Sequence, residues 1–126
     1  MCAVRTCRTN KKGAALADYR FSAKVIKRSN GQSAVAAAAY RAASNLRDER
    51  TGQTCDYSRK EGVTHSEVLA PEGTPDWMHD RAQLWNAVEA VERRKDAQLA
   101  REIQLSLPHE LTDDQRRDLV RGFVQE

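Results

Sequence analysis

Alternating apolar and polar positions predict two β-strands. From about residue 18 the segment YRFSAKVI alternates, and the same pattern returns over Leu99–Leu107. This two-residue period is typical of strands with one buried face and one polar face. The predicted apolar sides carry Tyr19, Phe21, Ala23 and Val25 in the first strand, and Leu99, Arg101, Ile103, Leu105 and Leu107 in the second. The predicted polar sides carry Arg20, Ser22 and Lys24, and Ala100, Glu102, Gln104 and Ser106.

Three other segments carry the signals of helices. Ser33 follows the turn pair Asn30-Gly31 and can cap an alanine-rich helix that runs to about Asn45. A second helix is predicted over residues 81–94, because apolar residues recur at i, i+4 and i+7 as Leu84, Val88 and Val91. Thr74 and Pro75 form a helix start signal before it. The last helix is predicted to begin with a capping box formed by Thr112 and Gln115. Its apolar residues are Leu119, Val120, Phe123 and Val124.

The pattern is weaker between the first two helices. Thr51–Gln53 is typical of a turn, and the residues around Cys55–Ser58 predict a short strand. Val63–Leu69 has weak strand character, which the sequence Ala70-Pro71-Glu72-Gly73 ends.

Length and composition favour one domain without a membrane span. The chain has 126 residues, and its longest uncharged run, Ser29–Tyr40, is far shorter than the roughly 20 apolar residues that cross a bilayer. No hydrophobic stretch of signal-peptide length follows the basic start, so we expect a cytoplasmic location. Three cysteines without CxxC spacing argue against a disulfide framework and a structural zinc site: Cys2, Cys7 and Cys55.

Basic residues are concentrated in the first half of the chain. The net charge is only +3, but residues 1–60 hold 13 Lys and Arg against 4 Asp and Glu, and residues 61–126 hold 8 against 14. Four cations surround the junction between the first predicted strand and helix: Lys24, Lys27, Arg28 and Arg41. They are candidates for contacts with DNA phosphates. The alternative is a solvated rim of positive charge.

The common catalytic patterns are missing from the sequence. It contains no GxSxG elbow and no glycine-rich phosphate loop. His65, His79 and His109 are widely spaced, so no metal site is predicted from them.

Two residues remain as candidates for chemistry. Tyr40 lies in a helix of small residues beyond the basic loop, and its phenol can act as a covalent nucleophile with help from a base or a metal-polarised phosphate. A core aromatic is the alternative. Glu102 is a candidate general base or orienting group, and a structural salt bridge is equally compatible with its position. The second acid, Glu110, is eight residues further on, and spacing alone does not bring the two together.

Several separated blocks together resemble one known family. The blocks are YRFSAKVIKRSNGQSAVAAAAYRAA, DYSRKEGVTHSEVLAPEGTPDW, LWNAVEAVERRKDAQLAREIQLSLPHELT and RDLVRGFVQE. In order and spacing they are similar to the N-terminal relaxase domain of the MobA/MobL family of plasmid mobilisation proteins, over about Tyr19 to Glu126. The sequence before it, residues 1–17, has no recognised counterpart, and we expect either a flexible basic extension or a mis-assigned start.

The resemblance implies a fold and an activity. The fold is α+β, an antiparallel sheet with helices packed on one face, as in a partial relaxase domain of the HUH type. The activity is site- and strand-specific nicking of single-stranded DNA at a plasmid transfer origin, with accessory mobilisation proteins as further partners. Tyr40 matches the tyrosine that becomes linked to the 5′ phosphate. Glu102 matches an acid in or near the active site, and Glu110 matches the second acid of that block.

The resemblance also implies a cofactor, and here the sequence departs from the family. Members use Mg²⁺ or Mn²⁺ held by three histidines, two of them in an HxH strand that would follow the last predicted helix. The sequence ends at Glu126, so we expect the ligands to be absent from this chain. Enzymatic activity is therefore left open at this stage. The alternatives are a catalytically inactive remnant that binds DNA or a partner, and a purely structural interaction module.

Overall fold

The structure, a computed structural model, describes residues 2–4 and 20–125. In chain order it contains strands β1 (Cys2–Val4) and β2 (Phe21–Lys27), helix α1 (Ala34–Ala42), strands β3 (Asn45–Arg47) and β4 (Thr54–Asp56), helix α2 (Arg81–Val91), strand β5 (Gln98–Leu105) and helix α3 (Asp113–Gln125). Short 3₁₀ helices cover Arg28–Asn30 and Asp76–His79. The predicted α+β class is confirmed.

A three-stranded sheet in the order β1-β5-β2 forms the centre of the fold. β5 is antiparallel to β2, as predicted, and parallel to β1. Lys24 lies opposite Glu102, and the register shifts between Ile26 and Lys27. β1 belongs to the segment that we expected to be a flexible extension. Its residues 2–4 form a strand, and the rest of that segment, like Tyr19, lies outside the described residues.

The sheet is covered on the side opposite to the one predicted. Phe21 and Val25 of the predicted apolar face are exposed, whereas Ile26 is buried in a core with α1 and α2. Lys24, Ile26, Ala100 and Glu102 share one face, because they pair in register at alternate positions. The two-residue period of the strands was predicted correctly, but the prediction of which sheet face points to the core was wrong. Leu99 joins the core next to the register shift, which breaks the simple alternation.

Helix α1 begins where the sequence predicts. The Ser33 hydroxyl accepts a hydrogen bond from the backbone N–H of Ala36 at 3.3 Å. The helix ends at Ala42 rather than near Asn45, because Ala43 has a left-handed backbone with a φ of 50°. Its buried side is made of small residues: Ala34, Val35, Ala38 and Ala39.

Helix α2 differs more from its prediction. Its N-cap is Asp80, which accepts from the N–H of Gln83, whereas the Thr74 hydroxyl donates to the Pro71 carbonyl in a separate turn. Leu84 is buried, but Val91 at the end of the predicted stripe is 77% exposed. Trp85 takes its place in the core because it faces α1 and the sheet.

The segment from residue 45 to 75 is mostly irregular. The predicted turn is present between β3 and β4, with Gly52 at a φ of 73°, and the predicted strand is shortened to Thr54–Asp56. The strand predicted over Val63–Leu69 is wrong, because this stretch has no regular structure. Instead, Glu67 is held by the guanidinium of Arg121 in α3 at 2.7 Å, and Val68 packs against the core.

Helix α3 opens with the predicted capping box. The N–H of Gln115 donates to the Thr112 hydroxyl at 3.3 Å, and the Gln115 side chain accepts from the Thr112 N–H at 3.0 Å. Val120 is buried, while Leu119 and Phe123 are about half exposed. Within residues 2–4 and 20–125, no helix has the length and apolar character required to cross a membrane.

Candidate active site

A cleft of about 430 Å³ lies where α1, the sheet and the β3–β4 hairpin meet. Lys24 and Glu102 come from the sheet, and Tyr40 and Arg41 from α1. The hairpin and the residues next to it complete the lining, among them Asp48, Arg50, Cys55 and Tyr57. Because the α1 side is made of small residues such as Ala36 and Ala37, a long polar chain can approach Tyr40.

Tyr40 is accessible rather than part of the core. Its side chain is 42% exposed at the mouth of this cleft. The Tyr57 ring meets it edge to face, with 5.3 Å between ring centroids and an angle of 86° between ring planes. The Lys60 ammonium lies 3.6 Å from the Tyr40 ring centroid, and the Arg41 guanidinium carbon lies 5.2 Å from it. Two cations therefore lie close to the Tyr40 ring.

Arg41 links Glu102 to Tyr40, because its guanidinium contacts both side chains. The Arg41 guanidinium donates two hydrogen bonds to the Glu102 carboxylate, one of them from Nε at 3.0 Å, and the Gln104 amide donates a third. Burial raises the pKa of Glu102, but the hydrogen bonds from Arg41 and Gln104 outweigh it and hold the pKa below its usual value. A carboxylate held in this way stays ionised and is suited to orienting a cation.

A second buried carboxylate fixes the beginning of α1. Glu89 of α2 is only 2% exposed and accepts a hydrogen bond from the backbone N–H of Ala34 at 2.7 Å. Arg28 and Arg50 both donate to the same carboxylate, at 2.7 and 3.1 Å. Next to it, buried Asp48 accepts from the Ser33 hydroxyl at 2.7 Å. The helix that carries Tyr40 is therefore anchored to α2 and to the hairpin.

The sequence-predicted site residues fall into two groups. Tyr40, Glu102, Lys24 and Arg41 come together around the cleft. The guanidinium of Arg28, in contrast, is turned to the end of α2, where it binds the carbonyls of Glu92 and Arg94 as well as Glu89, and Arg28 is not among the cleft-lining residues.

The other two candidates lie elsewhere. Lys27 ends β2, and its backbone N–H donates to the Gln32 side chain. Glu110 is exposed in the turn between β5 and α3, outside the cleft lining.

Four neighbours of the site were not singled out from the sequence. Gln104 was visible on the same strand face as Glu102, at alternate spacing. Tyr57 and Lys60 lie in the quoted block DYSRKEG, but nothing local links that block to Tyr40. Arg50 belongs to a charged stretch that reads as a solvated face. The contacts of these last three join residues far apart in sequence.

No metal site is complete within the described part of the chain. Across residues 2–4 and 20–125, no three His, Cys, Asp or Glu side chains converge to hold an ion. His65 lies 3.5 Å from Glu67, whereas His79 and His109 lie in separate exposed segments. Burial raises the pKa of the Cys55 thiol in the cleft, and the Asp48 charge raises it further, so Cys55 is a poor ligand and nucleophile. These residues alone do not fit the expected Mg²⁺ or Mn²⁺.

Fold and site together define an α+β domain that presents a tyrosine next to an ion-paired carboxylate in a basic cleft. The sequence profile described as MobA/MobL family matches residues 32–126. This match covers more than half of the chain, and the chain therefore belongs to the MobA/MobL family, whose members are mobilisation relaxases and generally metal-dependent.

Individual proteins agree with this assignment. The chain is 53% identical over 110 residues to a mobilization protein MobL of Acidithiobacillus ferridurans, covering 87% of this chain and 28% of that protein. It is 40% identical over 120 residues to a conjugal transfer protein TraA of Agrobacterium fabrum, covering 87% and 11%. The chain thus spans less than a third of the length of each of these two relatives.

One solved structure supports the fold. The structure described as "Molecular Basis of Vancomycin Resistance Transfer in Staphylococcus aureus" matches with a TM-score of 0.81 and 39% identity, over 86% of this chain and 56% of that chain. The expected partial relaxase fold is confirmed by this similarity.

Proposed function

We propose that this chain carries the nucleophile of a relaxase that nicks one strand of DNA at a plasmid transfer origin. The observation that carries the proposal is the exposed Tyr40 in a cleft that also holds Glu102 and three basic side chains, Lys24, Arg41 and Arg50. Membership of a family of mobilisation proteins supports it. The proposed substrate is single-stranded DNA, as the family resemblance implies.

The proposed reaction is a transesterification at phosphorus. The phenolic oxygen of Tyr40 attacks a backbone phosphorus, and an O–P bond forms as the bond from phosphorus to the neighbouring 3′ oxygen breaks. The 5′ phosphate stays on Tyr40. The phenol gives up its proton and the leaving 3′ oxygen takes one up, so the step conserves atoms and charge. The reverse reaction rejoins the strand without an energy source.

The charged residues of the cleft have distinct proposed roles. Lys24 and Arg41 contact the phosphates that flank the scissile one. Glu102 orients the Arg41 guanidinium through its hydrogen bonds, and its lowered pKa suits this role better than proton transfer. Glu110, Arg28 and Lys27 have no place in this proposal because all three lie outside the cleft lining.

Further partners belong to the same proposal. A Mg²⁺ or Mn²⁺ ion, for which the described residues supply no ligand set, would supply charge stabilisation at the scissile phosphate when bound, and the residues of this chain would position the DNA and the phenol. Accessory mobilisation proteins would help to expose the strand at the transfer origin. The cytoplasm is the proposed site of action, because the plasmid DNA is there.

Capture of a covalent adduct tests the proposal. The protein is incubated with Mn²⁺ and with short single-stranded oligonucleotides that tile both strands of the DNA flanking its own gene. We expect a species that survives denaturation and whose DNA-bearing peptide, identified by mass spectrometry, contains Tyr40. Tyr40→Phe abolishes this species because it removes the attacking oxygen.

The matched control removes a phenol elsewhere. Tyr19→Phe keeps the adduct, since the proposal assigns Tyr19 no part in the reaction. An adduct on another residue, or retention of the adduct in Tyr40→Phe, contradicts the proposal. So does the lack of any adduct with the wild-type protein.

A further inference from the structure

Two side chains from the segment after β4 contact the Tyr40 ring. The Tyr57 ring is perpendicular to it at 5.3 Å between centroids, and the Lys60 Nζ lies 3.6 Å from the Tyr40 ring centroid. Lys60 Nζ also donates a hydrogen bond of 2.8 Å to the backbone carbonyl of Tyr40 itself. One ammonium group therefore contacts both the ring and the backbone of the same residue.

Backbone hydrogen bonds fix this segment against α1. The N–H of Tyr57 donates to the Ser44 carbonyl just beyond the end of the helix, at 3.0 Å. A turn follows, in which the Lys60 N–H donates to the Tyr57 carbonyl at 3.0 Å. This turn returns the chain toward α1, so Tyr57 and Lys60 reach the same ring although they are three residues apart. Their geometry is set by backbone contacts as well as by their side chains.

We propose that Tyr57 and Lys60 are positioning residues for the nucleophile, an inference that rests on the proposed function of Tyr40. Tyr40 projects from a helix surface of small alanines and is 42% exposed, so its own helix offers little to restrain the ring. The edge of Tyr57 and the ammonium of Lys60 restrict the ring to one orientation, which favours the geometry needed for attack.

The ammonium has a second effect on the same ring. A cation over an aromatic face is attracted to the electron-rich ring, and more strongly when the ring oxygen carries negative charge. In the rejoining reaction Tyr40 departs with negative charge on its oxygen, so the Lys60 charge stabilises the leaving group. Lys60 therefore acts on the rate of the chemical step, whereas Lys24 and Arg41 act on DNA binding.

A purely structural role for Lys60 makes different predictions. Its hydrogen bond to the Tyr40 carbonyl caps the last turn of α1, and a cap alone stabilises the helix without influencing the ring. Tyr57 does not take part in that cap through its side chain. Changes at Tyr57 thus separate positioning of the ring from capping of the helix.

Single-turnover adduct formation with the oligonucleotide that gives the wild-type adduct tests the inference. Lys60→Met and Tyr57→Leu are each expected to slow the step at saturating DNA by about tenfold, with an unchanged dissociation constant for the oligonucleotide. Lys60→Arg and Tyr57→Phe keep the charge or the ring edge and recover most of the rate. Lys95→Met, at an exposed position between α2 and β5, serves as the matched control and leaves the rate unchanged.

The outcomes distinguish this inference from the function on which it rests. If wild-type protein forms the Tyr40 adduct but Tyr57→Leu reacts at the wild-type rate, positioning is wrong and nicking stands. A loss of DNA affinity at constant rate also overturns positioning and assigns the pair to DNA binding. If only Lys60→Met is slow, and its melting temperature falls in parallel, Lys60 is a helix cap alone. If wild-type protein forms no adduct, both proposals fall.

Discussion

Arg41 and Glu102 form an ion pair next to the nucleophile, and both side chains are largely buried, with 16% and 10% of their surfaces exposed. A partly buried pair contributes little compared with an apolar pair of the same shape, but removal of one member leaves the other charge poorly compensated. The pair therefore matters for specificity of arrangement more than for net stability. It holds a guanidinium next to Tyr40 with its planar donors already oriented.

Removal of Arg41 tests this interpretation at the level of one side chain. Arg41→Ala is expected to lower the free energy of unfolding by about 2 kcal/mol at pH 7, because Glu102 loses its ion-pair partner and keeps only the Gln104 hydrogen bond and the charge of Lys24. Arg94→Ala is the control: Arg94 pairs with Asp96 on the exposed surface, and its loss should cost well under 1 kcal/mol. Urea unfolding of the three proteins measures the difference.

The same pair gives a defined pH dependence. The pKa of Glu102 is below its usual value of 4.5 in the folded protein, so the ion pair contributes fully above about pH 4.5 and is lost as the pH falls through the folded pKa. The stability gap between wild type and Arg41→Ala should therefore narrow as the pH falls below 4.5. A gap that is constant between pH 7 and about pH 3 would contradict the assignment of Glu102 as the ionised partner.

Helix α1 depends on a carboxylate from another element. Its own cap, Ser33, provides one oxygen for the Ala36 N–H, while Glu89 of α2 provides another for the Ala34 N–H. A negative charge at a helix N-terminus also stabilises the helix through its interaction with the helix dipole. Because Arg28 and Arg50 bind the same carboxylate, β2, the hairpin and α2 all meet at the start of the helix that carries Tyr40.

Glu89→Gln tests this junction. The amide keeps the shape but loses the charge that two guanidinium groups share, and we expect a loss of about 3 kcal/mol in the free energy of unfolding. Glu92→Gln is a matched control, because Glu92 offers its backbone carbonyl to Arg28 and the carbonyl survives the change. Equal losses in the two variants would show that the Glu89 charge is unimportant.

Local signals explain which elements were predictable. The start of α1 at Ser33 and the capping box of α3 were predicted because each depends on residues within one helical turn. The end of α1 at Ala43 was missed because an alanine with a left-handed backbone carries no sequence signal. The irregular stretch over Val63–Leu69 was misjudged because it is held by Arg121, far along the chain.

The candidate site was predictable only in part for a related reason. Tyr40 and Glu102 were candidates from their positions in the sequence and also match residues of the family, but spacing gave no sign that Lys60 returns to the Tyr40 ring or that Glu89 reaches Ala34. The inward face of the sheet was also reversed. The face with Lys24 and Glu102 reads as solvent-exposed in sequence, yet it is the face that α1 covers to form the cleft.

On the scale of the whole molecule, three basic residues of the first half of the chain meet in the cleft. Lys24, Arg41 and Arg50 line the cleft, although the net charge of the chain is only +3. Local rather than total charge should therefore govern affinity for DNA. Binding of this kind depends on salt, because each phosphate contact releases counterions.

Lys24→Ala tests the proposed path of the strand. Anisotropy titrations with a labelled oligothymidylate over a range of salt concentrations should show weaker binding and a slope reduced by about 0.7 in the logarithmic salt plot. Lys95→Ala removes the same charge from an exposed position outside the cleft lining and should change the slope less. Equal effects would mean that the strand does not follow the cleft.

The bond between Glu89 and Ala34 also has a consequence for biosynthesis, because 55 residues separate its two ends. During translation, the amide of Ala34 leaves the ribosome long before the carboxylate that it binds. The segment with Tyr40 therefore acquires its final anchor only after α2 has been made. A nascent polypeptide released before that point would present the tyrosine on a helix that lacks the Glu89 anchor, because the tyrosine is synthesised before its support.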